Sequence, residues 1–361
     1  MKLLFYLFFS LPCVLLSQSN WQQNADYEMN VDIDVESFRF KGSQEVLYTN
    51  NSPDTISKVY YHLYFNAFKP GSQMDVRSLN ISDPDSRVKD RISKLEKNEE
   101  GDLSVFELKQ DGKPVFFEQQ ETILLARLNK VLLPGKKTKL TLLFEGVVPK
   151  QIRRSGRNNK DGVALSMTQW YPKLAEYDFE GWHPNPYIAR EFHGVWGDYS
   201  VKITIDKNYI LGGTGYLQNS AEIGYGYHPK NKTIDHSEKE KLTWHFFAPS
   251  VHDFTWAADP DFVHDVVKGP NDVDLHFLYK TNQENWRKLQ PHSVGLMKYF
   301  NENIGEYPWK QYSIIQGGDG GMEYAMSTLI TGGEQYSRLL GTTSHEMAHA
   351  WFQHILANNE A

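Results

Sequence analysis

The densest chemistry in this sequence lies in five consecutive residues near its end, His345-Glu346-Met347-Ala348-His349. Residues four apart on an α-helix stand one above the other, so His345 and His349 can offer two imidazole nitrogens to a single ion. Glu346, one residue from a ligand, stands beside the point where a metal-activated water would react. Upstream, Glu323 sits in Gly320-Gly321-Met322-Glu323-Tyr324. A fixed carboxylate facing the same cleft would pair with a protonated amine through charge-assisted hydrogen bonds. The His345–His349 pentad points to metal-assisted hydrolysis of a carbonyl compound. The readings without chemistry are a buried amphipathic helix with two incidental histidines, and a solvated acid in a glycine loop.

These side chains need elements to hold them. A helix is expected over residues 343–356, with Thr342, Thr343 and Ser344 as cap oxygens and Met347, Trp351 and Ile355 along an apolar face. Residues 322–330 follow a glycine turn and read as an edge strand beside that helix, able to hold a peptide by backbone pairing. Pro291 is placed as the first residue of a helix carrying Val294, Met297 and Phe300 inward. Residues 273–279 and 312–315 read as strands, and residues 85–97 as a short surface helix.

The earlier part of the chain alternates strictly. Tyr27, Met29, Val31, Ile33 and Val35 fall on one face, and Glu28, Asn30, Asp32, Asp34 and Glu36 on the other, which is the pattern of a half-buried strand. Similar runs at 45–48, 59–65, 103–108, 138–144 and 199–205, separated by turn signals, predict an antiparallel β domain. Arg153-Arg154-Ser155-Gly156-Arg157 reads as a solvated loop and Gly212-Gly213-Thr214-Gly215 as a turn.

The 361 residues are 40% hydrophobic and 14% aromatic, as in a globular protein, with a formal charge of −7 that disfavours nucleic acid as a partner. The single cysteine, Cys13, lies in an apolar run over residues 3–16, so metal ligands must be histidine and carboxylate. That run follows Met1-Lys2 and precedes Ser17, the layout of a secretory signal peptide over 1–17. It is shorter than the roughly 20 apolar residues of a membrane span. A secreted or periplasmic protein without stable membrane insertion is the expectation, with an uncleaved anchor as the alternative.

Together the 320–324 and 345–349 motifs resemble the aminopeptidase N and leukotriene hydrolase family of zinc aminopeptidases, which are gluzincin metallopeptidases. The resemblance covers most of the chain from Tyr27 and is specific at those two motifs. It implies an α+β fold: a β domain over 18–262 followed by the beginning of a thermolysin-like zinc metallopeptidase domain over 263–361. It further implies Zn2+ held by His345 and His349, Glu346 as general base, and a substrate-binding strand of Gly320, Gly321, Met322 and Glu323, with Glu323 gripping the free α-amine of a peptide. The stretch Gln169-Trp170-Tyr171-Pro172, with Asp178 and Gly181-Trp182-His183, looks like the family's N-domain segment near the cleft. Gln169 is the nearest match to its amine-binding glutamine, while His183 and His193 read as structural histidines. Residues 247–254 resemble the passage between the two domains.

Two departures stand out. The family's motif ends Met-Glu-Asn, where this chain has Tyr324. The family's third zinc ligand is a glutamate farther along than Ala361, and Glu360 follows Asn358-Asn359 too soon to fold back. Phe352 and Ile355 exclude the metzincin ligand pattern, and His354 is off its register. The expectation is therefore an incomplete zinc site and an inactive 361-residue polypeptide. A non-catalytic peptide-binding protein and an HExxH endopeptidase are the alternatives.

Overall fold

The computed structural model describes residues 21–81, 88–188, 194–228, 232–332 and 335–355. The leader expected over 1–17, with Cys13, and the residues His193 and Glu360 lie outside them.

The alternating segment forms strand Asn24–Asp34, in which Tyr27, Met29, Val31 and Ile33 are buried and the acids face out. Val35, expected on the same inward face, falls just beyond the strand and is partly buried. The strand lies inside an eight-stranded sheet that also contains Arg39–Thr49, Lys137–Val147, Asp102–Gln110, Gly197–Asp206 and Lys241–Val251. One pairing departs from the antiparallel expectation. Asn24–Asp34 runs parallel to Gly197–Asp206, with Tyr27 opposite Tyr199, because the long connection between them allows a crossover. Two four-stranded sheets pack around this one and share a core rich in Trp170, Tyr171, Trp244 and Trp256.

Beyond residue 262 the chain forms a five-stranded sheet in the order Val263–Lys268, Asp274–Tyr279, Gln311–Gln316, Ser327–Ile330, Gly321–Tyr324. The three inner strands are parallel, and the two outer ones are antiparallel to their neighbours. Helix Gln283–Asn303 makes the crossover between the first two parallel strands and packs against the last helix, Tyr336–Phe352. Phe300 meets Trp351 at 4.8 Å between ring centroids, and Trp351 Nε1 donates to Gly305 O at 2.8 Å. The whole is a mixed α+β molecule, mostly strands in its earlier part apart from short helices such as Gln73–Asn80, with its two long helices toward the end. Among the described residues no helix is long and apolar enough to cross a membrane.

Several local expectations are corrected. The last helix starts at Tyr336, so Thr343 and Ser344 are interior residues rather than caps. Their hydroxyls turn back to the carbonyls of Leu339 and Leu340, both at 2.8 Å. Ile355 lies past the helix end and is 39% exposed, so the apolar face ends at Trp351. Pro291 stands inside its helix rather than at the start. The described part of 85–97 is a series of turns, although Val88 and Ile92 are buried.

The single strand expected at 322–330 is a hairpin, Gly321–Tyr324 and Ser327–Ile330, with Gly321–Tyr324 on the sheet edge. Gly212 and Gly213 belong to strand Ile210–Gly213 rather than to a turn. A Cβ on Gly212 would stand 2.5 Å from Leu278 Cδ1, so the glycine lets the two sheet systems approach. Arg153 and Arg154, expected in a solvated loop, are each 6% exposed. Gly156–Arg157 continues as a short strand.

Candidate metal centre

The site is built where the edge strand meets the last helix. Met322 and Tyr324 are buried at 4% and 1%, so the period of two turns Gly321 and Glu323 toward the helix. A Cβ on Gly321 would fall directly onto Glu346 Oε1 and within 2.6 Å of Thr342 Cγ2. Glycine is the residue that lets the Glu346 carboxylate lie against this strand. Gly320 holds φ +115, closed to other L-residues without strain, and its N–H and carbonyl are tied to Thr331 at 3.1 and 2.8 Å.

The preceding glycine loop is anchored by the β part of the molecule. Asn159 Nδ2 donates to Gly318 O at 2.9 Å, and Gly318 N donates to Ser166 Oγ at 2.8 Å. Asp319 forms ion pairs with Arg91 at 3.3 Å and Lys160 at 3.7 Å.

On the helix, His345 Nε2 and His349 Nε2 stand 3.2 Å apart with their rings nearly perpendicular. Two nitrogens bound to one tetrahedral zinc at about 2.0–2.1 Å are separated by about 3.3 Å. The spacing therefore fits one shared ion. Ligand-type atoms of Glu323, Glu346 and His349 all lie within 4.8 Å of one another, so both carboxylates gather at His349, while His345, the more exposed of the two histidines, is not in that group. Glu346 is 5% exposed. The donor set, imidazole with carboxylate, suits zinc.

Sequence reasoning missed Tyr312. Its hydroxyl donates to Glu346 O at 3.5 Å. Burial, reinforced by Glu346 and then Glu323, holds its phenol well above the ordinary value, so it stands as a neutral donor beside the two acids. A tyrosine in a short inner strand carries no sequence signal for such a place. The sequence analysis also did not single out Asp319, whose partners Arg91 and Lys160 lie far from it in the chain.

Gln169 is 2% exposed, and its hydrogen-bond partner is Tyr324. The phenolic oxygen lies 3.0 Å from Nε2 and 3.3 Å from Oε1. The structure thus brings Gln169 to the strand that bears Glu323, on the side away from the helix. His183 pairs with Asp178 at 2.8 Å on the hairpin formed by Tyr177–Asp178 and Gly181–Trp182. His354 is buried against His252, with ring centroids 5.0 Å apart. Burial, then His252 and His349, keep it well below the usual histidine range, so it is neutral.

No family model and no curated relative matches the sequence. Solved structures do match. An M1 zinc metallopeptidase from Deinococcus radiodurans aligns with TM-score 0.53 at 13% identity over 93% of this chain. A point mutant from the same organism, bound to a Tyr-Ser-Ala substrate, aligns with TM-score 0.55 at 12% identity. A two-domain M1 zinc metallopeptidase mutant bound to L-tryptophan aligns with TM-score 0.54 at 14% identity over 92% of this chain. The chain spans 65% of the length of each of these structures. At such identities the likeness is one of architecture: this chain has the α+β fold of the M1 zinc metallopeptidases.

Proposed function

We propose that the chain carries the metal-binding and amine-binding parts of a zinc aminopeptidase, which removes N-terminal residues from peptides. The observation that carries the reading is the pair of imidazole nitrogens 3.2 Å apart, with two carboxylates gathered at His349. His345 and His349 would hold the ion. When bound, zinc would supply the Lewis acidity that lowers the pKa of a water to about 7 and polarises the scissile carbonyl. Glu346, held against Gly321, takes the proton from the attacking water and later delivers it to the departing amine. Glu323 pairs with the free α-ammonium and so sets the cut at the first peptide bond. The open edge of strand Gly321–Tyr324 suits an extended peptide, whose backbone can pair with it.

The test is zinc titration of the metal-free chain in competition with a chromophoric chelator. Uptake should fall at least about tenfold in His345→Ala and His349→Ala and persist in Glu346→Gln. Uptake indifferent to both histidines overturns the metal assignment.

A further inference from the structure

Strand Gly321–Tyr324 presents a mechanical problem. It is four residues long, lies at the sheet edge, and is hydrogen-bonded to a neighbour on one side alone. A short edge strand frays readily. Yet it carries Glu323, whose use depends on a fixed distance from the histidine pair. Something other than its own ladder must hold it.

The side chain that leaves this strand for the β part of the molecule is Tyr324. Its ring is 1% exposed and its hydroxyl meets the amide of Gln169, itself 2% exposed. Gln169 holds φ +48, a left-handed conformation unfavourable for glutamine, and such strain persists where surrounding contacts over-determine it. The segment that bears it is itself fixed. Ser155 Oγ lies 2.5 Å from Thr168 Oγ1, Thr255 Oγ1 donates to Met167 O at 3.1 Å, and Trp170 Nε1 donates to Phe254 O at 3.1 Å. Burial keeps the Tyr324 phenol protonated, while Arg154 and Thr168 act on the same oxygen in the opposite sense. The polar end of Tyr324 is therefore seated in a rigid socket, at a position where asparagine would be too short to span the same gap.

We infer that Tyr324 and Gln169 form a latch that fixes the height of the edge strand, and with it the Glu323 carboxylate, over the histidine pair. Tyr324 is a positioning residue, and Gln169 acts through it rather than by touching the substrate. The inference rests on the reading of Glu323 as the amine-binding residue, but its physical content is the local stability of the strand.

The test uses the full chain as Tyr324→Phe, Gln169→Leu and the double variant. Amide hydrogen exchange should quicken about three- to tenfold in residues 321–324 of each single variant. It should stay unchanged in strand Gln311–Gln316 and helix Tyr336–Phe352, and the double variant should add nothing further. Unchanged exchange in the strand, exchange that rises throughout the molecule, or losses that add in the double variant each overturn the latch.

The dependent claim is read with an unblocked tripeptide and its N-acetylated form, titrated into the zinc-loaded chain. A wild type that prefers the unblocked peptide, with Tyr324→Phe losing most of that preference, supports both readings. A wild type without preference overturns the role of Glu323 and leaves the exchange result to decide the latch. A preference retained in Tyr324→Phe overturns the positioning role alone.

Discussion

At the scale of single residues, the site depends on one missing side chain as much as on the charged ones. Gly321 gives the Glu346 carboxylate room to lie against the edge strand, because a Cβ there would clash with Oε1. Gly321→Ala should therefore displace Glu346 or lift the strand. The apolar core is not entered, so global stability should change little, by about 1 kcal/mol or less. Peptide hydrolysis by the protein bearing this change should fall at least about a hundredfold, the scale expected when a general base is misplaced. Zinc uptake should persist, since both imidazoles remain. The measurement is turnover beside zinc affinity, and undiminished turnover would show that the base tolerates the shift.

At the scale of elements, Pro291 shows where local signals mislead. It stands inside helix Gln283–Asn303 on an exposed position, where it removes a backbone donor and its ring crowds the carbonyl of Arg287. Pro291→Ala restores that hydrogen bond, offset by roughly 0.4–1 kcal/mol from the freer unfolded chain. A net gain of about 1–2 kcal/mol is expected, read as a raised urea midpoint, and a lowered midpoint would show that the helix is bent to suit the proline. Sequence alone placed this proline at a helix start because that is where prolines are best tolerated. The packing of Trp286 and Leu289, both fully buried one turn earlier, overrode the preference. The same contrast runs through the chain. Alternation in 24–34 and the histidine spacing on the last helix were legible, since each is a local period. The parallel pairing of Asn24–Asp34 with Gly197–Asp206, the burial of Arg153 and Arg154, and the contact of Tyr312 with Glu346 were not. Each depends on segments far apart in sequence.

At the scale of the whole molecule, buried titratable groups far from the site make stability depend on pH, with opposite signs. His264 Nδ1 lies 2.8 Å from Tyr225 O and its Nε2 lies 2.9 Å from His276 Nδ1. A neutral pair satisfies both contacts when each ring carries its proton on Nδ1, and a further proton on His264 would set N–H against N–H. Burial lowers His264 from 6.5 to about 4 and drives His276 well below 6.5. The unfolded chain thus binds protons that the folded one refuses, and this stability is lost as pH falls from about 6.5. Glu176 behaves inversely. Burial first, then Asp178, raise its carboxyl from 4.5 to about 8, so the folded chain keeps a proton that the unfolded chain releases. Its contribution is full below 4.5 and is lost as pH rises to about 8. Between 4.5 and 6.5 the two trends oppose each other, whereas between 6.5 and 8 the trend of the glutamate remains. The melting temperature should therefore decline across that upper window, by an amount equivalent to at most about 2 kcal/mol. Glu176→Gln, which keeps the shape and cannot ionise, should flatten the decline while leaving the loss at acid pH intact. Melting curves of the two proteins at half-unit steps decide the matter, and a parallel decline in both would remove Glu176 as its cause.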